Sequence, residues 1–581
     1  MNTVLSIKQQ LEQAISAVCG DLDLDLTGAN IAIDRPADPS HGDWASNVAM
    51  VLAGKLGKNP RQLAEQIVAK LNKGVGTGQV PAIESVGVAG PGFINFKLKS
   101  AYYQEFLTSF ASGPAFIPTE QLKRIMVECG DPNTHKMPHI GHLYSYIIGN
   151  SISKIMEFTG NEVCLVNYQG DVGPHVAKCI YGWIQKGRPD PEDAYERVKL
   201  LQQCYQEGAR LYEEDEAVKE EVSKINKAIY DPTSEVQADW QTTRQWSLDY
   251  YLIFEKELGI DQKFHYLESQ IWQKGMELVK ANTRSEANPK GVFVESDGAI
   301  IFPGEDYGLH TRVFITRAST PTYECKELGL NTRKMADWPY DLTIIPTGGE
   351  QIGYFKVVIK AIEEAIPELK GKIQHIGFGM VNLSTGKMSS RTGQILSAPD
   401  LIDLVKSRVA EVVADREGLS EEQKLDITRK VALAAIKYAF LKGNVMQNMT
   451  FDLEESVSFE GNSGPYLLYT YARIQSLLKE GESVDTAADV SVLDAGSELA
   501  VLKKLESFRE NVIAAKEKLA PHIISTYLYE LAQDYNSFYK QLKINSAPDA
   551  QKSARRLLSQ QVGRILHTGL ALLGIETVEK M

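Results

Sequence analysis

His139 and His142 bracket Ile140-Gly141 where a helical pattern begins. Leu143, Ile147, Ile148, Ile152, Ile155 and Met156 recur three to four residues apart, which predicts one buried helix face, and Gly160 stops the helix. The first turn of a helix carries unpaired N–H groups and a partial positive charge, so it attracts phosphate. Histidines at that point can donate hydrogen bonds to phosphate oxygens. Gly141 lacks a Cβ, so a planar base or a ribose can lie against the backbone. The plainer alternative is a buried helix start with two structural histidines. A second stretch, Ser384 to Gly393 (STGKMSSRTG), gathers glycines, hydroxyls and cations. Lys387, Ser389 and Ser390 supply donors that suit a clamp closing on phosphates, against the alternative of a solvated turn.

These residues need a frame. Ile125-Met126-Val127 predicts a short strand, and Gly130-Asp131-Pro132-Asn133 a polar loop ahead of the helix. Glu162 to Asn167 predicts a second, parallel strand, so the stretch reads as a right-handed βαβ unit of a nucleotide-binding sheet. Asp171-Val172-Gly173 follows that strand's C-terminal end, where such folds bind ligands. From about 187 to 257 the pattern is helical and highly charged, an insertion whose solvated faces explain its charge and which is assigned no chemistry. The sheet is then expected to resume: Val292 to Val294, a hairpin through Ser296-Asp297-Gly298 to Ala299–Phe302, then Val313–Ile315, Leu342–Ile345 and a strand at 374–381. Gly348 to Gln351 closes the Leu342 strand, and from Asp400 onward the pattern is helical.

Residues 1–110 read as a separate α/β unit, with a helix near 3–18, a strand at 31–33 and a helix from Arg61 to Leu71 behind Pro60. Its tail, GVAGPGFINFKL, pairs Phe93 with Asn95; an exposed aromatic beside an amide can stack on and hydrogen-bond a flipped base, and a core phenylalanine on a half-buried strand is the alternative. Ser112-Gly113-Pro114 marks a linker. At 581 residues the chain is too long for one core, and about three to four domains are expected. Its composition, 43% hydrophobic and 24% charged, is that of a globular protein. No apolar run reaches the ~20 residues of a membrane span, and the N-terminus lacks the apolar core of a signal peptide. Six cysteines form no CxxC pair, which predicts reduced thiols rather than a disulfide or zinc framework. A net charge of −13 argues against non-specific duplex binding and leaves room for a shape-specific RNA interface.

His139-Ile140-Gly141-His142 and Lys387-Met388-Ser389-Ser390 together resemble the HIGH and KMSK signatures of class I aminoacyl-tRNA synthetases. The flanks resemble the arginyl-tRNA synthetase family: Glu128 to Asn133 before HIGH, Asn167 to Gly173, Thr322-Tyr323-Glu324, Gly349-Glu350-Gln351, and Gly461 to Tyr466 with Tyr469 to Arg473. Segments 528–539 and 569–575 are similar to its anticodon-binding helices, and 42–96 to its N-terminal extra domain, which contacts the tRNA elbow. Four positions depart from the family pattern. Glu327 stands for an Asp, Ala318-Ser319-Thr320 for Ser-Asp-Gly, Ile352 for a His, and Ser390 for the last lysine of KMSK.

The resemblance implies a multidomain α/β plus all-α architecture. A Rossmann-type catalytic core would span 122–395 with its insertion, an α/β domain would precede it, and a helical anticodon-binding domain would occupy 396–581. It implies activation of arginine with ATP, then transfer to the 3′ end of tRNA(Arg). His139, Gly141, His142, Lys387, Met388, Ser389 and Ser390 would hold ATP, with His139, His142 and Lys387 catalytic. Glu128, Tyr323 and Glu327 would take the guanidinium, and Asn133 and Gln351 the α-amino and carboxyl ends. Phe93, Asn95, Tyr527, Tyr535 and Met581 would meet tRNA, although Tyr527, Tyr535 and Met581 read equally well as core or terminal residues. Glu128 or Glu327 could instead be an ion-pair partner. Magnesium is expected with ATP as substrate, with no protein metal site, no zinc and no tightly bound cofactor. A cytoplasmic monomer without membrane contact completes the expectation. Another class I synthetase, a small HIGH-containing nucleotidyltransferase such as pantothenate synthetase, and a synthetase-like RNA binder without activity are the rival readings; the chain length and the helical C-terminal region disfavour the second.

Overall fold

Residues 7–36, 38–76, 82–114, 122–384, 397–414, 416, 418–480 and 483–581 are described in the computed structural model. They form two units. The first holds residues 1–113 together with 482–506 and 537–561. Its elements are α1 (Ile7–Asp21), β1 (Ile33–Asp34), β2 (Trp44–Ser46), α2 (Val48–Leu56), α3 (Pro60–Gly76), β3 (Ile83–Ala89), β4 (Phe93–Leu98) and α4 (Ser100–Ser112). The strands form one antiparallel sheet in the order β1-β2-β4-β3. Leu11, Ile15, Leu52, Ile67, Ile94 and Phe96 fill the core. Alternation along β4 buries Ile94 and Phe96 and turns Phe93 outward, 40% exposed. The Asp43 carboxylate accepts from the Leu98 N–H at 2.7 Å and pairs with Lys503 at 2.6 Å. Tyr102 donates to Glu506 at 3.0 Å. Compactness therefore groups the N-terminal fold with segments that the sequence assigned to the C-terminal domain.

The second unit holds residues 114–481, 507–536 and 562–581. It is built on β5 (Arg124–Glu128), α5 (Ile140–Phe158), β6 (Glu162–Gln169), α6 (Pro174–Gln185), α7 (Ala194–Glu214), α8 (Glu216–Ile229), α9 (Val236–Glu257), β7 (Phe264–Leu267) and α10 (Glu268–Ala281). There follow β8 (Val294–Ser296), β9 (Ala299–Phe302), β10 (Arg312–Ile315), α11 (Tyr323–Asp337), β11 (Leu342–Gly348), α12 (Ile352–Ala365), β12 (Ile373–Phe378) and β13 (Val381–Leu383). The five-stranded sheet runs β12-β11-β5-β6-β7, with every pairing parallel. The chain moves outward from β5 to β7, then returns on the other side of β5. The switch point between β5 and β11 opens a crevice at their C-terminal ends. The helix α5 packs so closely on β5 that a Cβ on Gly149 would lie 2.3 Å from the Cβ of Cys129.

The expected hairpin is present. Asp297 and Gly298 both have positive φ, 50° and 78°, as a two-residue turn of this hand requires. It does not rejoin the parallel sheet, as the sequence suggested: β8, β9 and β10 form their own antiparallel sheet in the order β10-β9-β8. A run of short strands linked by a tight turn has no crossover helix, so it cannot add parallel strands. The fifth strand is β7, which follows the insertion directly.

The rest is helical apart from β14 (Met449–Phe451), which pairs with β13. Its helices are α13 (Ala398–Ala414), α14 (Glu421–Leu441), α15 (Leu453–Val457), α16 (Gly464–Lys479), α17 (Gly496–Lys518), α18 (His522–Gln541) and α19 (Asp549–Leu572). Within the second unit, the end of α19 and the chain after it are fastened to two earlier helices. Ser151 Oγ of α5 donates to Leu572 O at 2.9 Å. The buried Lys437 of α14 donates to Leu258 O at 2.7 Å and to Gly574 O at 2.5 Å. Among the described residues, no helix is long and apolar enough to cross a membrane.

Candidate active site

His139 is the N-cap of α5, and the two histidines cap each other. His142 N–H donates to His139 Nδ1 at 3.3 Å, and His139 N–H donates to His142 Nδ1 at 3.2 Å. The rings stack with centroids 3.6 Å apart. An Nδ1 that accepts carries no proton, so in each neutral ring the proton sits on Nε2, which is left to donate. Burial, then the nearby Lys136, holds His139 below the ordinary histidine range. Burial, then His139 and Lys136, holds His142 well below it. The pair is therefore two neutral N–H donors at a helix N-terminus. Gly141 serves this cap: a Cβ there would lie 2.9 Å from the His139 ring. The space that the sequence offered to a base is filled in this structure by the His139 imidazole.

The loop ahead of the cap is held by the insertion, to which the sequence reading gave no chemistry. The Tyr251 hydroxyl shares its proton between Asn133 O at 2.7 Å and Lys136 O at 2.8 Å. Gln202 Oε1 accepts from Met137 N–H at 3.1 Å. His135, at φ 65°, is buried between Thr134 and Thr243, and its backbone N–H donates to Ser247. Lys136 lies over the Tyr205 ring at 4.1 Å. The missed signal is a row of polar residues on helices otherwise read as solvated, with Thr243, Ser247 and Tyr251 at helical spacing. Asp171 is also structural: it is buried and accepts from Ser269 N–H and Oγ at 2.8 and 2.6 Å.

Lys387, Met388, Ser389 and Ser390 lie outside the described residues. The chain on either side is placed. Ser384 N–H donates to Phe451 O at 3.0 Å on one side. On the other, Ser397 bridges to His139, and Ala398 N–H donates to Pro138 O at 2.8 Å. Downstream of the KMSS segment, the chain at Ser397 and Ala398 is thus bonded to Pro138 and His139.

The end of β5, the loop after it and the first turns of α10 and α11 gather four carboxylates, Glu128, Asp131, Glu268 and Glu327, which feel one another's charge. Tyr323 opens α11 at 53% exposed, and Glu327 one turn on is buried. Glu327 Oε2 accepts from the Asn331 amide at 3.3 Å. Burial, then the charge of Glu128, pushes Glu327 up to about 8. The same order of causes holds Asp131 well above the carboxylate range. Glu268, on the first turn of α10, is pushed up to about 7 by burial and pairs with Lys326 at 2.6 Å. Lys326 also lies 4.9 Å from the Tyr323 ring centroid. Glu128 is buried against Lys334, the ion-pair alternative that the sequence held open. Asn133 is half-buried next to Gly170 and Glu268. Gln351 is the half-buried N-cap of α12, one turn from Tyr354, which faces Glu327.

The sequence-derived RNA positions divide. Phe93 is exposed, Asn95 is half-buried with its Oδ1 shielded from water, and Met581 is half-exposed. Tyr527 and Tyr535 are core residues at 2% and 0% exposed, so neither ring is available to a base. Their spacing on α18 reflects the face that packs inward. Among the described residues no three His, Cys, Asp or Glu side chains could hold a metal ion together.

Residues 110–453 match the family model of tRNA synthetases class I (R), catalytic domain. Residues 5–98 match the arginyl tRNA synthetase N terminal domain, and 467–581 the DALR anticodon binding domain. The chain is 30% identical to an arginine–tRNA ligase of Flavobacterium psychrophilum over 551 residues, 90% of each chain. It is 30% identical to one from Shewanella oneidensis, covering 99% of each. In fold it resembles Thermus thermophilus arginyl-tRNA synthetase (TM-score 0.78, 23% identity, 99% of this chain and 100% of that one). It also resembles the Plasmodium falciparum enzyme (TM-score 0.79, 19% identity, 100% of both).

Proposed function

Because the chain belongs to the arginine-specific class I tRNA synthetases and is an arginine–tRNA ligase, we propose that both steps of its reaction run in the crevice between β5 and β11. In the first step, a carboxylate oxygen of arginine attacks the α-phosphorus of ATP. The bond from that phosphorus to the bridging oxygen breaks, and pyrophosphate leaves with the electron pair. In the second step, a hydroxyl of the terminal ribose of tRNA attacks the arginyl carbonyl, the carbonyl–phosphate bond breaks, and AMP leaves with its phosphate taking up the hydroxyl proton. The observation that carries this placement is the reciprocal histidine cap. Two Nε2–H donors and the N-terminus of α5 are fixed in advance at the switch point of the sheet, where phosphate charge gathers.

In this reading His139, Gly141 and His142 receive ATP, brought as its magnesium complex. Lys387, Met388, Ser389 and Ser390 cover the departing pyrophosphate. The pairing of Ser397 with His139 supports that role, since it returns the chain to the cap a few residues after the clamp. Asn133 and Gln351 orient the α-amino and carboxyl ends, while Tyr323 and Glu327 receive the guanidinium as a bidentate, charge-assisted partner. The first step needs no general base, since the attacking carboxylate is already ionised. The exposed Phe93, with Asn95 beside it, meets the tRNA elbow. The helices after Asp400 read the anticodon, with Met581 at their end and Tyr527 and Tyr535 acting only through packing. A monomer working in the cytoplasm completes the proposal.

Charging of total tRNA with each amino acid in turn should give product with arginine alone. Lys387→Ala should lower the rate of arginine-dependent pyrophosphate exchange, run with tRNA present, by about 10²–10³-fold with a small change in arginine affinity. Exchange at the parent rate in that variant would sink the clamp assignment. Phe93→Ala should raise the apparent tRNA KM and leave the arginine KM unchanged.

A further inference from the structure

The helix α9 of the insertion carries buried polar side chains at every fourth position: Thr243, Ser247, Tyr251 and Glu255, none more than 3% exposed. Four residues advance an α-helix by about 6 Å and a little more than one turn, so the row runs along one side. Thr243 and Ser247 hold the ring and the backbone N–H of His135, and Tyr251 holds the carbonyls of Asn133 and Lys136. Glu255, the last in the row, reaches the helix α5 that bears both cap histidines. Its Oε1 accepts from the Tyr146 hydroxyl at 2.8 Å and from the Asn167 amide at 2.7 Å. Its Oε2 accepts from His265 Nε2 at 2.7 Å. The Asn167 amide also donates to the Tyr146 hydroxyl at 2.8 Å. Burial, then the charge of Glu255, raises the Tyr146 phenol well above its ordinary value, so the hydroxyl stays a donor.

The Tyr146 ring in turn supports the start of the loop ahead of the cap. A Cβ on Gly130 would lie 2.3 Å from the Tyr146 Cζ, and Gly130 takes φ 96°, so the turn rests on the ring with no side chain between them. The Gly130 N–H also donates to Ser145 Oγ of α5 at 3.0 Å. Stability alone does not call for a buried carboxylate here, since well-packed apolar side chains in place of buried charged groups are often neutral or stabilising. A satisfied network of directional bonds instead fixes one geometry. We propose that Glu255 is a positioning residue for adenylate formation: through the Tyr146 hydroxyl it fixes the ring on which Gly130 rests, and so the placement of the loop 130–133 beside the histidine cap. This rests on the reading of the crevice between β5 and β11 as the reaction site. The chemical step depends on such placement more steeply than binding does.

The test follows arginine-dependent pyrophosphate exchange by the full-length enzyme with tRNA(Arg) present, and takes His142→Ala as the control for the site. Tyr146→Phe should lower kcat about tenfold and leave the KM of arginine and of ATP within about threefold of the parent. Glu255→Leu should do the same. Glu255→Gln should keep kcat within about threefold of the parent, because an amide oxygen still accepts from Tyr146 and Asn167. In the Tyr146→Phe background, Glu255→Leu should add less than about a twofold loss, since both changes cut one connection. Tyr146→Phe with a lower Tm and a parental kcat would overturn the proposal, because the pair would then serve stability alone. So would losses that multiply in the double variant. If Glu255→Leu does not fold, the kcat of Tyr146→Phe decides. If His142→Ala exchanges at the parental rate, the reading of the crevice fails and the proposal falls with it.

Discussion

Glu327 carries the clearest pH signature. Burial, with the charge of Glu128 added, lifts its carboxyl to about 8, so near neutral pH it keeps its proton. A guanidinium needs the ionised form. Arginine binding should therefore release a proton, and the arginine Kd should fall as pH rises toward about 8 and level off above it. Calorimetry at about pH 7 in buffers of different ionisation enthalpy measures the proton count directly, and close to one is expected, with a smaller share from Glu268. Folding stability has the opposite sign. The folded pKa lies above the unfolded one, so this group's contribution is complete at low pH and is lost as pH rises through about 8. The Tm of the arginine-free enzyme should fall across that interval, and Glu327→Gln should remove this part of the slope. A Kd flat with pH would mean that the guanidinium does not ionise this carboxyl.

At the scale of elements, the insertion is the feature with most to test. Tyr251→Phe deletes the hydroxyl shared by Asn133 O and Lys136 O and leaves the helix α9 otherwise intact. Unpairing buried carbonyls costs about 1–3 kcal/mol. Because those carbonyls belong to the loop that carries the cap, adenylate formation should slow about tenfold in pyrophosphate exchange, with little change in far-UV circular dichroism. A parental rate would return the insertion to decoration. The sequence disclosed α5, the two histidines at its start and the parallel pairing of β5 with β6, because helical periodicity and a short apolar run are local signals. It also disclosed the two-residue turn at Asp297-Gly298. It hid the separate sheet of β8 to β10, since pairing partners are not written in a strand's own composition. The Glu128–Lys334 pair was out of reach for the same reason: an acidic residue at a strand end looks the same whether a substrate or an internal lysine neutralises it. Tyr527 and Tyr535 show the reverse error, in which aromatics in a family-like segment were offered to RNA although their spacing already matched a buried face.

At the scale of the molecule, the fastening of the last helical segment to the catalytic sheet has measurable weight. Lys437 joins the end of the insertion at Leu258 O to the tail at Gly574 O, through an ammonium that burial pushes down to about 8. Lys437→Met leaves two carbonyls without a donor and should cost about 1–3 kcal/mol, read as a lower Tm. An unchanged Tm would mean that apolar packing of Leu570, Leu573 and Ile575 alone holds the tail. Deleting residues 464–581 should abolish charging and, because the tail is bonded to α5, also lower the Tm and the exchange rate of what remains. The bond from Ser151 to Leu572 spans 421 residues of sequence. At a ribosomal speed of about 5–20 residues per second, roughly 20 to 80 seconds pass between the synthesis of the two ends. Through that interval the nascent helix that bears both histidines waits for its last partner, so newly made chains should reach full activity only after the tail has emerged and docked.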